Sequence, residues 1–125
     1  MKNLLADKSS GKDIIVKVKD VVIGGGDLTF ISGPCAVESY DTLMAIGEGL
    51  KEQGVHMIRG GAFKPRTSPY EFQGLGVEGL KILKAVGDKY NMPIVSEVMD
   101  ASQIEEALKY VDMIQVGSRL SLIHI

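Results

Sequence analysis

Short β-branched runs alternate along this chain with longer stretches in which apolar residues recur every three or four positions. The runs 14-IIVKV-18 and 21-VVI-23 flank Lys19 and Asp20 and predict a small hairpin. The segment 24-GGGD-27 interrupts the chain, 28-LTFI-31 reads as a strand, and 32-SGPC-35 as the turn that closes it. A helix is predicted from about Tyr40 to Gln53. Leu43, Ile46 and Leu50 form its apolar stripe, Ser39 caps its start and Gly54 stops it. The next strand is 55-VHMI-58, followed by a long loop over residues 59 to 75 and a helix over about 77 to 90 that buries Leu80, Leu83, Val86 and Tyr90. Pro93 leads into the strand 94-IVSEV-98. Asp100 and Gln103 then make a capping-box pattern for a helix ending near Tyr110, along which Glu105 and Lys109 are spaced to pair. A last strand is 113-MIQV-116.

Strands that are nearly continuous in apolar residues and alternate with helices imply parallel pairing covered by helices. Right-handed crossovers leave two α/β architectures, a barrel and an open doubly wound sheet. Unusual polar residues fall at each strand's C-terminal end: Cys35, Arg59, Glu97 and Arg119. A barrel gathers those ends around one mouth, whereas an open sheet spreads them along an edge. The pattern therefore predicts part of a (β/α)8 barrel, about four βα units behind an N-terminal hairpin. Residues 1–27 form the extension and hairpin, and 28–119 the first half of the barrel. A full barrel takes about 250 residues. The segment 120-LSLIHI-125 is apolar and uncapped where a βα loop is due, and reads as a non-native tail on a truncated chain. Such a chain would expose unpaired strand edges and tend to associate.

Charge and composition narrow the function. A formal net charge of −2 over 125 residues argues against a nucleic-acid binder. No apolar run approaches the roughly 20 residues of a membrane span, and no signal peptide is read at the N-terminus. One cysteine excludes an intrachain disulfide and fits a reducing cytoplasm. The 15 glycines suggest many tight strand-to-helix turns.

Against that acidic background, 59-RGGAFKPRTSPY-70 concentrates Arg59, Lys64 and Arg66 in one glycine- and proline-shaped segment. Arg offers a planar fork for phosphate or carboxylate, and Lys a compact charge. Gly60 and Gly61 would let backbone amides approach a ligand, Pro65 would fix side-chain directions, and Thr67 and Ser68 add hydroxyls. A solvated loop with incidental charge is the competing account. Glu97 sits among apolar strand residues and calls for a partner, Arg59 or Lys64, as a structural ion pair or a proton-handling group. Arg119 follows Gly117 and suits a phosphate. Cys35 is either a buried small residue or one thiolate ligand of a metal, which needs three or four. His56 lies within a strand and reads as structural, Asp100 as a helix cap, Glu38 as a residue orienting the first turn, and His124 has no role.

The stretches 33-GPCAVES-39, 59-RGGAFKPRTSPYEFQGLG-76, 97-EVMD-100 and 112-DMIQVGSR-119 closely resemble 3-deoxy-D-arabino-heptulosonate-7-phosphate (DAHP) synthase, in its short type I beta branch. The resemblance implies a (β/α)8 barrel that condenses phosphoenolpyruvate with erythrose 4-phosphate, the first step of the shikimate pathway to aromatic amino acids. It implies that Arg59 and Lys64 contact phosphoenolpyruvate and that Lys64 also assists proton transfer. Pro65, Arg66 and Thr67 would hold the sugar phosphate. Gly117, Ser118 and Arg119 would bind the phosphate of phosphoenolpyruvate, and Glu97 would stand near the reacting carbons. Cys35 matches a ligand of a divalent metal of the Mn, Fe, Co or Zn class, whose His, Glu and Asp partners come from the second half of the barrel. A cytoplasmic homotetramer is expected for the full-length enzyme. This chain, with LSLIHI where the family has an N-x-Q-N-F-like run, is expected to be inactive alone. Two alternatives remain: 3-deoxy-D-manno-octulosonate-8-phosphate synthase, which usually reads K-A-N-R-S where this chain has 64-KPRTS-68, and a non-catalytic phosphate-binding module.

Overall fold

Two consecutive β-branched runs joined by a two-residue turn fold back on each other. In the computed structural model, which describes residues 11–63 and 76–117, they are β1 (Val16–Val18) and β2 (Val21–Ile23). Their antiparallel register runs from Val16↔Ile23 to Val18↔Val21. Lys19 makes the turn in the left-handed region, at φ 52°. Ile14 and Ile15, predicted as part of the first arm, lie outside the ladder and are exposed.

The remaining strands are β3 (Ile31–Ser32), β4 (Met57–Arg59), β5 (Ile94–Val98) and β6 (Met113–Val116). They form one parallel sheet in the order β3-β4-β5-β6. Each strand pairs with the next in sequence, without the order reversal of a doubly wound sheet. Sequential parallel order is the barrel's order. The described residues hold three βα units and the fourth strand, within the predicted four. The connections are α1 (Tyr40–Glu52), α2 (Val77–Tyr90), and a 3-10 turn at Ala101–Gln103 that continues into the short α3 (Ile104–Ala107).

Alternation along the strands sends side chains to two separate clusters. Ile58, Ile94 and Val98 pack with Leu43, Leu80, Leu83 and Val86 of α1 and α2. Leu80 and Leu83 are fully buried, which stabilises by about 1.5–3 kcal/mol for each such side chain. Met57, Val95 and Met113 point the other way and meet Val18, Val21 and Ile23 of the hairpin. The hairpin thus covers the N-terminal half of the sheet face opposite the helices. Asp112 ties it there: one carboxylate oxygen accepts the Ile94 N–H at 2.8 Å and the other lies 3.2 Å from Lys19 Nζ. The Asp112 N–H in turn donates to the Ile94 carbonyl at 3.1 Å.

The ends of the elements follow local chemistry. Ser39 Oγ accepts the Thr42 N–H at 3.2 Å and starts α1 as predicted. Asn91 ends α2 in the left-handed conformation, φ 54°. The capping pattern at Asp100 differs from the standard box. Asp100 accepts the Ser102 N–H, while Gln103 Oε1 accepts from Met99, one residue before the cap. The third helix is shorter than predicted, and Lys109 lies beyond it in a turn. Lys109 therefore meets Glu106, at 3.0 Å, rather than Glu105.

Replacing Asp112 with alanine removes an acceptor from a backbone N–H at the start of β5. It is expected to cost about 1–3 kcal/mol in urea unfolding. Lys19→Ala, which removes only the half-exposed end of that ion pair, is expected to cost under about 1 kcal/mol.

Candidate functional site

Parallel strands in sequential order bring their C-terminal ends together, and the register decides which side chains share a face there. Arg59 is level with Val95, and Glu97 with Gln115. Arg59, Glu97, Gln115 and Gly117 therefore fall on the sheet face opposite the helices, beyond the hairpin cluster. Arg59 and Glu97 are half-buried and Gly117 is buried. Two residues of strand separate the level of Arg59 from that of Glu97, about 6.6 Å. Of the two partners weighed for Glu97, Arg59 makes no ion pair with it, and Lys64 lies outside the described residues. The Arg59 guanidinium has no hydrogen bond or ion pair among the described residues. A guanidinium partly withdrawn from water calls for an anionic partner.

Two loops hold this end of the sheet. Gly33, at φ 153°, lies against the Arg59 backbone so closely that a methyl group there would overlap the Arg59 carbonyl oxygen. Two residues after Arg59, the Gly61 carbonyl accepts the Val37 N–H at 2.9 Å and joins the second loop to the first. Gly60 corrects a sequence expectation. Its N–H donates to the Val95 carbonyl at 3.1 Å, and a methyl group on it would lie 2.8 Å from Val37 Cγ2 and 3.2 Å from Leu83 Cδ1. Its smallness serves packing between loop and helix, and its amide is committed to the sheet.

Cys35 is exposed in the first loop. It lines a cavity of about 230 Å³ against α1, with Glu38, Thr42 and Ile46, and that cavity includes none of Arg59, Glu97 or Gly117. A thiolate there could supply one metal ligand. Among the described residues no group of three or more His, Cys, Asp and Glu side chains could hold an ion, so this part of the chain does not make a metal site by itself. His56 is structural, as predicted. Its Nδ1 accepts the Phe30 N–H at 3.0 Å, and its ring stacks on Phe30 with centroids 6.1 Å apart. A hollow of about 500 Å³ between the hairpin and the start of β3, lined by Asp20, Asp27 and His56, lies at the opposite end of the sheet and contains no predicted site residue.

Lys64, Pro65, Arg66, Thr67, Ser118 and Arg119 lie outside the described residues. Two described residues escaped the sequence reading. Gln115 stands directly across from Glu97 on the same face, and its signal was a lone polar residue at an alternate position of an apolar strand. Ser96 is 2% exposed on the helix side, and its Oγ has no hydrogen-bond partner.

The profile of the DAHP synthetase I family matches residues 12–122. The chain belongs to that family. It is 46% identical over 108 residues to phospho-2-dehydro-3-deoxyheptonate aldolase of Thermotoga maritima, spanning 86% of this chain and 32% of the relative. It is 34% identical over 113 residues to 2-dehydro-3-deoxyphosphooctonate aldolase of Fusobacterium nucleatum, spanning 84% and 41%. The crystal structure of the Thermotoga maritima DAHP synthase superposes with a TM-score of 0.83 at 40% identity, covering 92% of this chain and 33% of that one. A truncated form of the Thermotoga maritima synthase superposes at 0.78 and 35% identity, with 92% and 40% covered. The chain thus spans a third to two-fifths of the length of these relatives. Its four sequential parallel strands and hairpin are part of the (β/α)8 barrel of this family.

In this DAHP synthase family chain the approach of Gly33 to Arg59 fixes where the guanidinium starts. Gly33→Ala would have to separate β3 from β4 at the mouth. A loss of more than about 2 kcal/mol in chemical unfolding is expected, alongside steric relief that disturbs the Arg59 loop. Ser96→Ala removes an unsatisfied buried hydroxyl and is expected to be neutral or stabilising in the same measurement.

Proposed function

We propose that the whole protein is a 3-deoxy-7-phosphoheptulonate synthase, condensing phosphoenolpyruvate with erythrose 4-phosphate to give DAHP and phosphate. The observation that carries this reading is Arg59, a half-buried cation without a partner among the described residues, on the same sheet face as Glu97 at the strands' C-terminal end. Both substrates are small phosphorylated anions. A charge already partly withdrawn from water and left unpaired binds such a group more strongly than an exposed one.

On this reading Arg59 and Lys64 grip the carboxylate and phosphate of phosphoenolpyruvate, and Gly117, Ser118 and Arg119 its phosphate. Pro65 shapes the loop on which Arg66 and Thr67 hold the sugar phosphate. C3 of phosphoenolpyruvate attacks the aldehyde carbon, water adds at C2, and phosphate leaves. Lys64 handles the proton at the aldehyde oxygen, Glu97 stands beside the reacting carbons, and the cations stabilise charge developing on oxygen. Cys35 would hold a divalent metal together with ligands from elsewhere in the whole protein, and such an ion, when bound, supplies Lewis-acid polarisation. The identities of 34–38% to 2-dehydro-3-deoxyphosphooctonate aldolases support a second reading with arabinose 5-phosphate as the acceptor. The 46% identity to the heptonate enzyme and the sequence 64-KPRTS-68 favour the first.

Phosphate release by the whole protein is expected with erythrose 4-phosphate and not with arabinose 5-phosphate; turnover confined to the pentose establishes the second reading. The 125-residue chain alone is expected to show no turnover, and calorimetric titration with manganese no tight stoichiometric complex through Cys35, because one thiolate is a third or a quarter of a site.

A further inference from the structure

We infer that Gly117 is a positioning residue for Glu97: its missing side chain leaves the space in which the Glu97 carboxylate lies. The inference rests on the proposed placement of Glu97 beside the reacting carbons, and it assigns Gly117 a task distinct from contact with a phosphate.

The argument begins with register. Glu97 of β5 is opposite Gln115 of β6, and Gly117 follows on the same face one period further toward the mouth. A side chain leaning along its strand toward the C-terminal end therefore passes over position 117. Glu97 does so. A methyl group built on Gly117 would overlap Glu97 Oε1 and lie 2.9 Å from its Cδ and 3.6 Å from its Cγ. All three of the nearest heavy atoms belong to this one side chain.

The usual reason for glycine does not apply. Gly117 is absent from the residues with positive φ, so a left-handed backbone is not what selects glycine here. Position 117 is buried, and what a side chain there would displace is a carboxylate. Glycine at this point is a requirement of space, and Glu97 imposes it. The carboxylate is consequently held against the tip of β6, next to the segment proposed to bind the phosphate of phosphoenolpyruvate. Glu97 has a further interaction of its own, and the glycine fixes one boundary of the space its carboxylate occupies.

Two double-mutant cycles test this. In the whole protein, Gly117→Ala is expected to lower kcat on the order of 10- to 100-fold, the effect of misplacing a reacting group by about 1 Å. The KM for phosphoenolpyruvate should stay within about two-fold, and in a Glu97→Gln background the same change should cost less than about two-fold. In the 125-residue chain, Gly117→Ala should lower the melting temperature by a few degrees, roughly the effect of 1 kcal/mol, and Glu97→Ala should abolish that loss. A kcat penalty that persists in full with Glu97→Gln, or a raised KM as the main effect, overturns the positioning role. So does a melting penalty unaffected by Glu97→Ala. Should Glu97→Gln leave kcat unchanged, the proposed placement of Glu97 fails instead, while the melting cycle still reports the steric coupling.

Discussion

The arrangement depends on the register of β5 between its two neighbours. This strand sends Ile94 and Val98 to the helices, and Val95 and Glu97 to the opposite face. Strand side chains repeat every two residues, so a slip by one position would exchange the two sets. Glu97 would then be driven under α2 among Leu80 and Leu83, and Ile94 would face the hairpin. The cost of burying a carboxylate in an apolar cluster, several kcal/mol, excludes that alternative. Asp112 reinforces the choice by satisfying the Ile94 N–H while its own N–H returns to the Ile94 carbonyl. A single residue thereby fixes β6 against β5 and, through Lys19, brings the hairpin to the same place.

That register also creates the candidate site. The hairpin covers only the lower levels of the sheet face, so polarity changes abruptly between the level of Met57 and Val18 and the level of Glu97 and Gln115. Arg59 stands at the boundary. Its backbone is locked by the Gly33 contact below it and by the Gly60 and Gly61 hydrogen bonds after it, while its guanidinium finds no partner among the described residues. A backbone held on both sides leaves little to reorganise around a partly desolvated charge, and the proposed anion-binding role of Arg59 rests on that.

Much of this was legible in the sequence, for reasons that differ by element. The run 94-IVSEV-98 is apolar on both faces apart from Ser96 and Glu97, and Pro93 marks its entry, so β5 was readable residue by residue. The end of α2 was marked by an exhausted apolar stripe at Tyr90. β3 was less so. It pairs over only Ile31 and Ser32; before them the Phe30 carbonyl accepts the His56 and Met57 N–H groups, while the Phe30 N–H donates to the His56 side chain in place of a backbone carbonyl. No propensity encodes that substitution. Of the four strand-end residues read from the pattern, Arg59 and Glu97 fall on one face by alternation and topology, Cys35 lines a separate cavity, and Arg119 lies outside the described residues. The true employment of Gly60, and the absence of an Arg59–Glu97 pair, needed the stagger between neighbouring strands, which sequence patterns do not carry. The other cations of the predicted site fall outside the described residues.

The exposed apolar residues show what the described sheet still requires. Leu28 and Phe30, leading into β3, are 79% and 56% exposed, and Val116 at the far edge is 57% exposed. Among the described residues β3 and β6 each have a neighbour on one side only. A barrel abolishes edges by closing, and its interior becomes dry only when it closes. The electrostatic value of Arg59 and Glu97 scales with that drying, since a charge pair or charge–phosphate contact gains strength as the local dielectric falls. In this chain, which spans a third to two-fifths of its relatives' length, the register of β5 sets which side chains share that face, and closure of a barrel sets the dielectric around them.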